Sequence, residues 1–238
     1  MQMLFADAGG ALWWRLLRKG EMNMLAMNLA VWSAVMLPVL AALYITRFWM
    51  NAPKFQVLPK CAGSFVCLGT LGVGLYLSGK QPFAHLAFWA LFLFMLGDFL
   101  IERRLELGGA AFAAGHLLLI TWIVNQGFFT WWCVPVWLVA AGSLLAVFCR
   151  DRNRMGRLAG ALGLYGAILT ASFACAAVLP FIAGDWYWPF AAGLLCFVLS
   201  DAVLGKNELH KPSASKQWLL MALYYAALYL IAASFWSA

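Results

Sequence analysis

The chain has 238 residues, of which 65% are hydrophobic and 11% charged, and its formal net charge is +7. Its mean hydropathy is +0.85. Soluble domains carry about 25% charged residues, so this composition excludes an ordinary water-soluble enzyme, and little sequence is left over for a second, soluble domain.

In chain order, residues 1–23 come first as an extension carrying WWRLLRK, without the cleavage site of a signal peptide. Two readings stay open for it: an interfacial amphipathic segment, or a chain that starts later, at Met22, Met24 or Met27. Residues 24–238 form the main domain. A membrane-crossing helix needs about 20 apolar residues. Eight stretches approach this: 25–49, 61–78, 83–101, 108–124, 128–149, 158–182, 186–204 and 218–236. The expected fold is therefore all-α and integral to a membrane, with eight transmembrane helices.

Twelve of the sixteen basic residues fall in alternate loops: Arg47, Lys54 and Lys60; Arg103 and Arg104; Arg150, Arg152, Arg154 and Arg157; Lys206, Lys211 and Lys216. Positive residues mark the cytoplasmic side, so the +7 charge reads as topology rather than nucleic-acid binding, and both termini are expected on the non-cytoplasmic side. Aromatic clusters in the intervening loops, TWW at 130–132 and DWYW at 185–188, fit an outer interfacial belt. The basic RDRNRMGR loop also offers attraction to phosphate headgroups. Six cysteines are scattered through apolar runs without a CxxC pair and read as small buried hydrophobes.

Two aspartates stand out. Asp98 lies in FLFMLGDFLIERR and Asp201 in LLCFVLSDAVLGK, two similar apolar contexts in the third and seventh stretches. A carboxylate inside a membrane helix costs a few kcal/mol or more, so function is the default reading; holding helices together by hydrogen bonds is the structural alternative. The preceding helices also match loosely, KCAGSFVCLGTLGVG with RLAGALGLYGAILTA, which suggests a four-plus-four parallel repeat. Small residues at packed helix faces produce part of that likeness by themselves.

With a rise of about 1.5 Å per residue, Asp98 lies about 6 Å inside Glu102 and Asp201 about 7 Å inside Lys206. His116, Tyr165, Tyr224 and Tyr225 come to about 12–14 Å from the same face, and Lys60 opens the second helix there. Interfacial anchoring of the Tyr and Lys side chains, or a core histidine, would explain each alone. Together they point to one polar cavity in the cytoplasmic half. No metal-ligand spacing accompanies them: His85 starts the third helix on the far side and His210 sits in a loop, so no metal or other cofactor is expected.

At these residues the sequence resembles the YhhN family of lysoplasmalogenase-like membrane proteins. The pieces are Lys60-Cys61, Gly97-Asp98-Phe99-Leu100, Ala111 through His116 (AFAAGH), Ser200-Asp201-Ala202-Val203-Leu204 and Tyr224-Tyr225-Ala226-Ala227. The resemblance runs over most of the chain from Met27. Leu119 and Leu228 depart from it, where a Tyr and a Gln are usual. It implies hydrolysis of the vinyl ether bond of a lysoplasmalogen to a fatty aldehyde and glycerophosphoethanolamine or glycerophosphocholine.

That chemistry suits the residues. An enol ether is protonated at its β-carbon, and water captures the resulting cation, which calls for an acid and a second carboxylate. The expectation is Asp98 as acid, because Glu102 lies one turn away, and Asp201 as carboxylate, with His116 orienting a carboxylate or water. Tyr165, Tyr224 or Tyr225 would donate hydrogen bonds, and Lys60 would hold the phosphate. The lysophospholipid would enter sideways from the surrounding lipids, in a multi-pass cell membrane of bacterial inner-membrane type. A homodimer is compatible with this reading. The rival is a proton- or cation-coupled transporter using the same aspartates; a non-catalytic lipid-binding protein is a third class.

Overall fold

The computed structural model describes Met24, Asn28, Trp32, Ser33 and residues 35–46, 57–78, 82–210 and 213–236; at residues 77, 78, 152 and 157 it describes the backbone alone. The N-terminal segment 1–23, Arg47, Lys54, Lys80 and Lys211 lie outside the described residues.

A chain in hydrocarbon must satisfy its backbone polar groups internally, and helices do so within one segment. The described residues are accordingly helical. Eight apolar helices follow one another: α1 (Val35–Thr46), α2 (Val57–Ser78), α3 (His85–Ile101), α4 (Leu105–Asn125), α5 (Cys133–Phe148), α7 (Ala159–Ala183), α8 (Trp188–Leu209) and α9 (Ala214–Ser234). A single turn, α6 (Arg152–Met155), lies between α5 and α7. Six of the helices are long and apolar enough to cross a membrane; α1 and α3 are shorter.

The ends differ from the hydropathy boundaries. α8 continues five residues past Leu204 through Gly205-Lys206-Asn207-Glu208, because Lys206 finds partners instead of ending the helix. Its ammonium donates to Val147 O at 2.7 Å and pairs with Asp151 Oδ2 at 2.5 Å. His210 Nε2 reaches Asp151 Oδ1 at 3.1 Å. This cluster ties the end of α5 to the end of α8. α2 begins at Val57, four residues ahead of the apolar run, with Pro59 in its first turn where a missing N–H costs nothing. α7 runs through Pro180 without a break.

Helices α3 and α4 form a hairpin joined by only Glu102–Arg104, whose turn is closed by Arg104 N–H donating to Leu100 O at 2.8 Å. The approach is tight enough that a Cβ at Gly108 would lie 2.6 Å from Ile101 Cα. Helices α8 and α9 form a second hairpin. α2 packs on α3 and α7 on α8, while α4 meets α7 and α9 meets α2. α5 lies outermost on α7, with Trp137 Nε1 donating to Ala167 O at 3.0 Å. The core runs through both hairpins and includes Phe94, Trp122, Phe190, Phe197 and Phe235. One end of the bundle carries Arg103, Arg104, Arg150, Arg154 and Lys206, and the other carries Trp131, Trp132, Trp186 and Trp188.

Candidate functional site

Asp98 is wholly buried, at 0% exposure. Its helix is uniformly apolar around it, HLAFWALFLFMLGDFLI, so the carboxylate takes its partners from neighbouring helices. From α2, Lys60 Nζ stands 3.4 Å from Oδ1, and Ser64 donates a short hydrogen bond to Oδ2. From α9, the Tyr224 hydroxyl donates to the same Oδ2 at 2.7 Å. The Lys60 ammonium lies 5.8 Å from the ring centroids of both Tyr44 and Tyr224, within the range of cation–π attraction. Three helices therefore converge on one carboxylate.

Asp201 is only half-buried. Its Oδ2 accepts a hydrogen bond from Tyr165 on α7. Among the described residues no cation lies within ion-pair distance of it. Asp98 and Asp201 nevertheless line one small cavity, with Lys60, Phe112, Ser200, Leu204, Leu220, Met221 and Tyr224. All these residues lie in the half of the bundle next to its basic end. α3 ends three residues past Asp98 and α8 eight past Asp201, so the two carboxylates sit at unequal distances from their helix ends.

The other predicted residues hold different places. Tyr225 is buried beside the cavity and donates to Pro59 O at 3.1 Å, pinning the start of α2. His116 is fully buried among Phe94 (4.8 Å), Phe197 (4.7 Å) and Tyr165 (6.4 Å), and among the described residues neither ring nitrogen has a hydrogen-bond partner. It is not among the residues that line the cavity, and its ring adjoins that of Tyr165. Glu102 is exposed and accepts from the Tyr44 hydroxyl at 3.0 Å. Among the described residues, no three of His, Cys, Asp and Glu are grouped as metal ligands.

Ser64 escaped sequence reasoning, and Ser200 entered it only as a piece of the family resemblance. Ser64 is one helical turn beyond Lys60 and so on the same face of α2, but a serine within a helix gives no signal of its own. Ser200 adjoins Asp201 in the chain; its hydroxyl is 3.4 Å from Leu220 O, at the α8–α9 contact.

Apolar helices, six of them long enough to cross a membrane, enclosing two carboxylates of which one bears a lysine counter-ion, define an all-helical protein of the membrane-embedded class with a carboxylate-lined cavity. The model of the YhhN family matches residues 55–235, and the chain belongs to that family. Neither a curated protein nor a solved structure matches it.

Proposed function

We propose that this protein is an integral-membrane hydrolase that cleaves the vinyl ether bond of lysoplasmalogens, releasing a fatty aldehyde and a glycerophosphoethanolamine or glycerophosphocholine. The observation that carries the reading is the cavity shared by Asp98 and Asp201. Enol ether hydrolysis needs a proton donor and a carboxylate near the cation it creates, in a place with few competing waters. Phe112, Leu204, Leu220 and Met221 supply apolar wall for the alkenyl chain, while Lys60 offers a cation for the headgroup side. Tyr165 and Tyr224 each orient a carboxylate, and His116 and Tyr225 support the wall.

In this reading all eight apolar helices span the membrane, with the basic end and the cavity toward the cytoplasm and both termini outside, as the positive-inside rule requires. The halves α1–α4 and α5, α7–α9 form a four-plus-four parallel repeat. The packing supports it: exchanging halves turns α3–α4 into α8–α9, α2–α3 into α7–α8, and α4–α7 into α9–α2. The same exchange maps α2, α3 and α9, which supply the groups around Asp98, onto α7, α8 and α4, the helices that carry Tyr165, Asp201 and His116. Transport by the same aspartates receives less support, since α2, α3, α8 and α9 pass the site as continuous helices rather than the broken ones that form midplane transport sites.

The test is aldehyde release from a choline or ethanolamine lysoplasmalogen by the purified protein, with a saturated ether lipid as control. Asp98→Asn and Asp201→Asn are each expected to lower the rate by about 100-fold or more, the usual worth of acid–base groups. No aldehyde from folded wild-type protein on either headgroup would refute the hydrolase.

A further inference from the structure

The two carboxylates share a cavity but not an environment, and that difference divides their work. Asp98 has an ammonium 3.4 Å from Oδ1 and two hydroxyl donors, Ser64 and Tyr224, on Oδ2. Every one of these groups donates, and an ionised carboxylate is the acceptor-only form that such a set satisfies. Both hydroxyls use Oδ2, so among the described residues Oδ1 has no hydrogen-bond partner of its own and faces Lys60. Asp201 has a single phenol donor, no described cation within ion-pair distance, and a side that is open to the cavity.

Resting on the hydrolase reading, we infer that Asp201 delivers the proton to the alkenyl carbon and that Asp98 is the fixed anion, acting through Oδ1, with Ser64 as its positioning residue. This reverses the division expected from sequence, where Glu102 was the reason to make Asp98 the acid. Glu102 instead lies exposed at the helix end and takes a hydrogen bond from Tyr44.

The reaction then balances without any further reactant but water. The carboxyl proton of Asp201 forms a C–H bond at the β-carbon, leaving Asp201 ionised and an oxocarbenium ion, which the Asp98 anion stabilises. Water adds to the α-carbon and gives its proton to Asp98 Oδ1, producing a hemiacetal. As the C–O bond to glycerol breaks, Asp98 returns that proton to the departing oxygen. The hemiacetal hydroxyl passes its own proton to Asp201, and the aldehyde leaves with both carboxylates restored. Ser64 holds Oδ2 so that Oδ1 is the atom left for this work.

Infrared spectroscopy of the full-length protein reads the assignment without relying on turnover. A protonated carboxyl has a carbonyl stretch above the amide band; a carboxylate does not. The wild type is expected to show such a band, lost in Asp201→Asn and kept in Asp98→Asn. A band lost only in Asp98→Asn, or absent from the wild type, overturns the assignment. Lys60→Met serves as a second variant should Asp98→Asn fail to fold: without its cation Asp98 should take up a proton and add a second band, and an unchanged spectrum counts against the proposal.

Aldehyde release is followed on the same samples. A band that follows Asp201 in a wild type that makes no aldehyde would overturn the hydrolase and leave the proton's location standing. Aldehyde release with a band that follows Asp98 would overturn the assignment alone. For Ser64, alanine should lower kcat about tenfold, the worth of one charge-assisted hydrogen bond, with KM little changed. Threonine should restore most of it; equal losses in both variants would mean that Ser64 only fills space.

Discussion

Tyr224 and Ser64 stand 160 positions apart and donate to the same oxygen of Asp98, so the last helix and α2 are joined through a carboxylate on α3. The Tyr224 ring is held independently of its hydroxyl, 6.3 Å from Phe112 and 5.6 Å from Phe197. Tyr224→Phe therefore removes a donor and little else. Hydrogen bonds to charged groups contribute about 1.5–3 kcal/mol in soluble proteins, and bonds between membrane helices average about 0.6 kcal/mol. Since Ser64 and Lys60 remain on Asp98, a loss near the lower figure is expected in a detergent unfolding titration, together with slower turnover. An unfolded Tyr224→Phe protein would show that the bond holds the bundle together.

Lys60 and Asp98 are both buried, at 7% and 0% exposure. Removing one partner of a buried ion pair strands the other charge and costs about 3–5 kcal/mol, whereas replacing both is often close to neutral. Lys60→Met should accordingly destabilise more than the double variant Lys60→Met/Asp98→Asn. The double-mutant cycle measures the coupling directly. A double variant that is additive in its two losses would mean that the pair is not coupled in the folded protein.

How much of this the sequence discloses depends on what each residue costs. Asp98 and Asp201 were legible because a carboxylate in an apolar run is expensive wherever it points. Lys60, Tyr165 and Tyr224 followed from depth along their helices, and each does reach a carboxylate. Ser64 was hidden for the opposite reason. A serine can satisfy itself on its own helix, as this one also does at Lys60 O, 3.3 Å away, so its presence raises no alarm. The end of α8 was misplaced because hydropathy stops at Lys206, while the pairing of Lys206 and His210 with Asp151 depends on which loops meet, a tertiary fact with no local signature. Depth alone also could not distinguish His116, at the correct level but packed among aromatic rings and not lining the cavity, from a group that lines it.

His116 gives a clean trial of that distinction. Its two ring nitrogens are buried without partners among the described residues, a state that costs stability rather than adding to it. His116→Leu conserves volume approximately and removes both polar atoms, so the unfolding midpoint should stay level or rise. Aldehyde release should remain within about tenfold of wild type, less than the 100-fold or more expected of an acid–base residue. A hundredfold fall at unchanged stability would place His116 in the reaction, acting through the neighbouring Tyr165.

Two adjacent glycines near the start of α4 should respond to the same substitution with opposite signs. At Gly108 an added Cβ meets the backbone of Ile101 at 2.6 Å, and the connection of Glu102–Arg104 is too short to let α3 and α4 move apart. Forcing a methyl into such a contact costs about 1–3 kcal/mol. At Gly109 no atom of the described residues lies within 4 Å, and alanine would gain about 0.5–1 kcal/mol from reduced freedom of the unfolded chain and better helix propensity. Gly108→Ala should therefore lower the unfolding midpoint while Gly109→Ala raises it slightly. Asp98 and Glu102 sit just before this turn, so Gly108→Ala should also slow aldehyde release, and Gly109→Ala should not. Equal stability of the two variants would mean that the α3–α4 hairpin is looser than the contact at Ile101 requires.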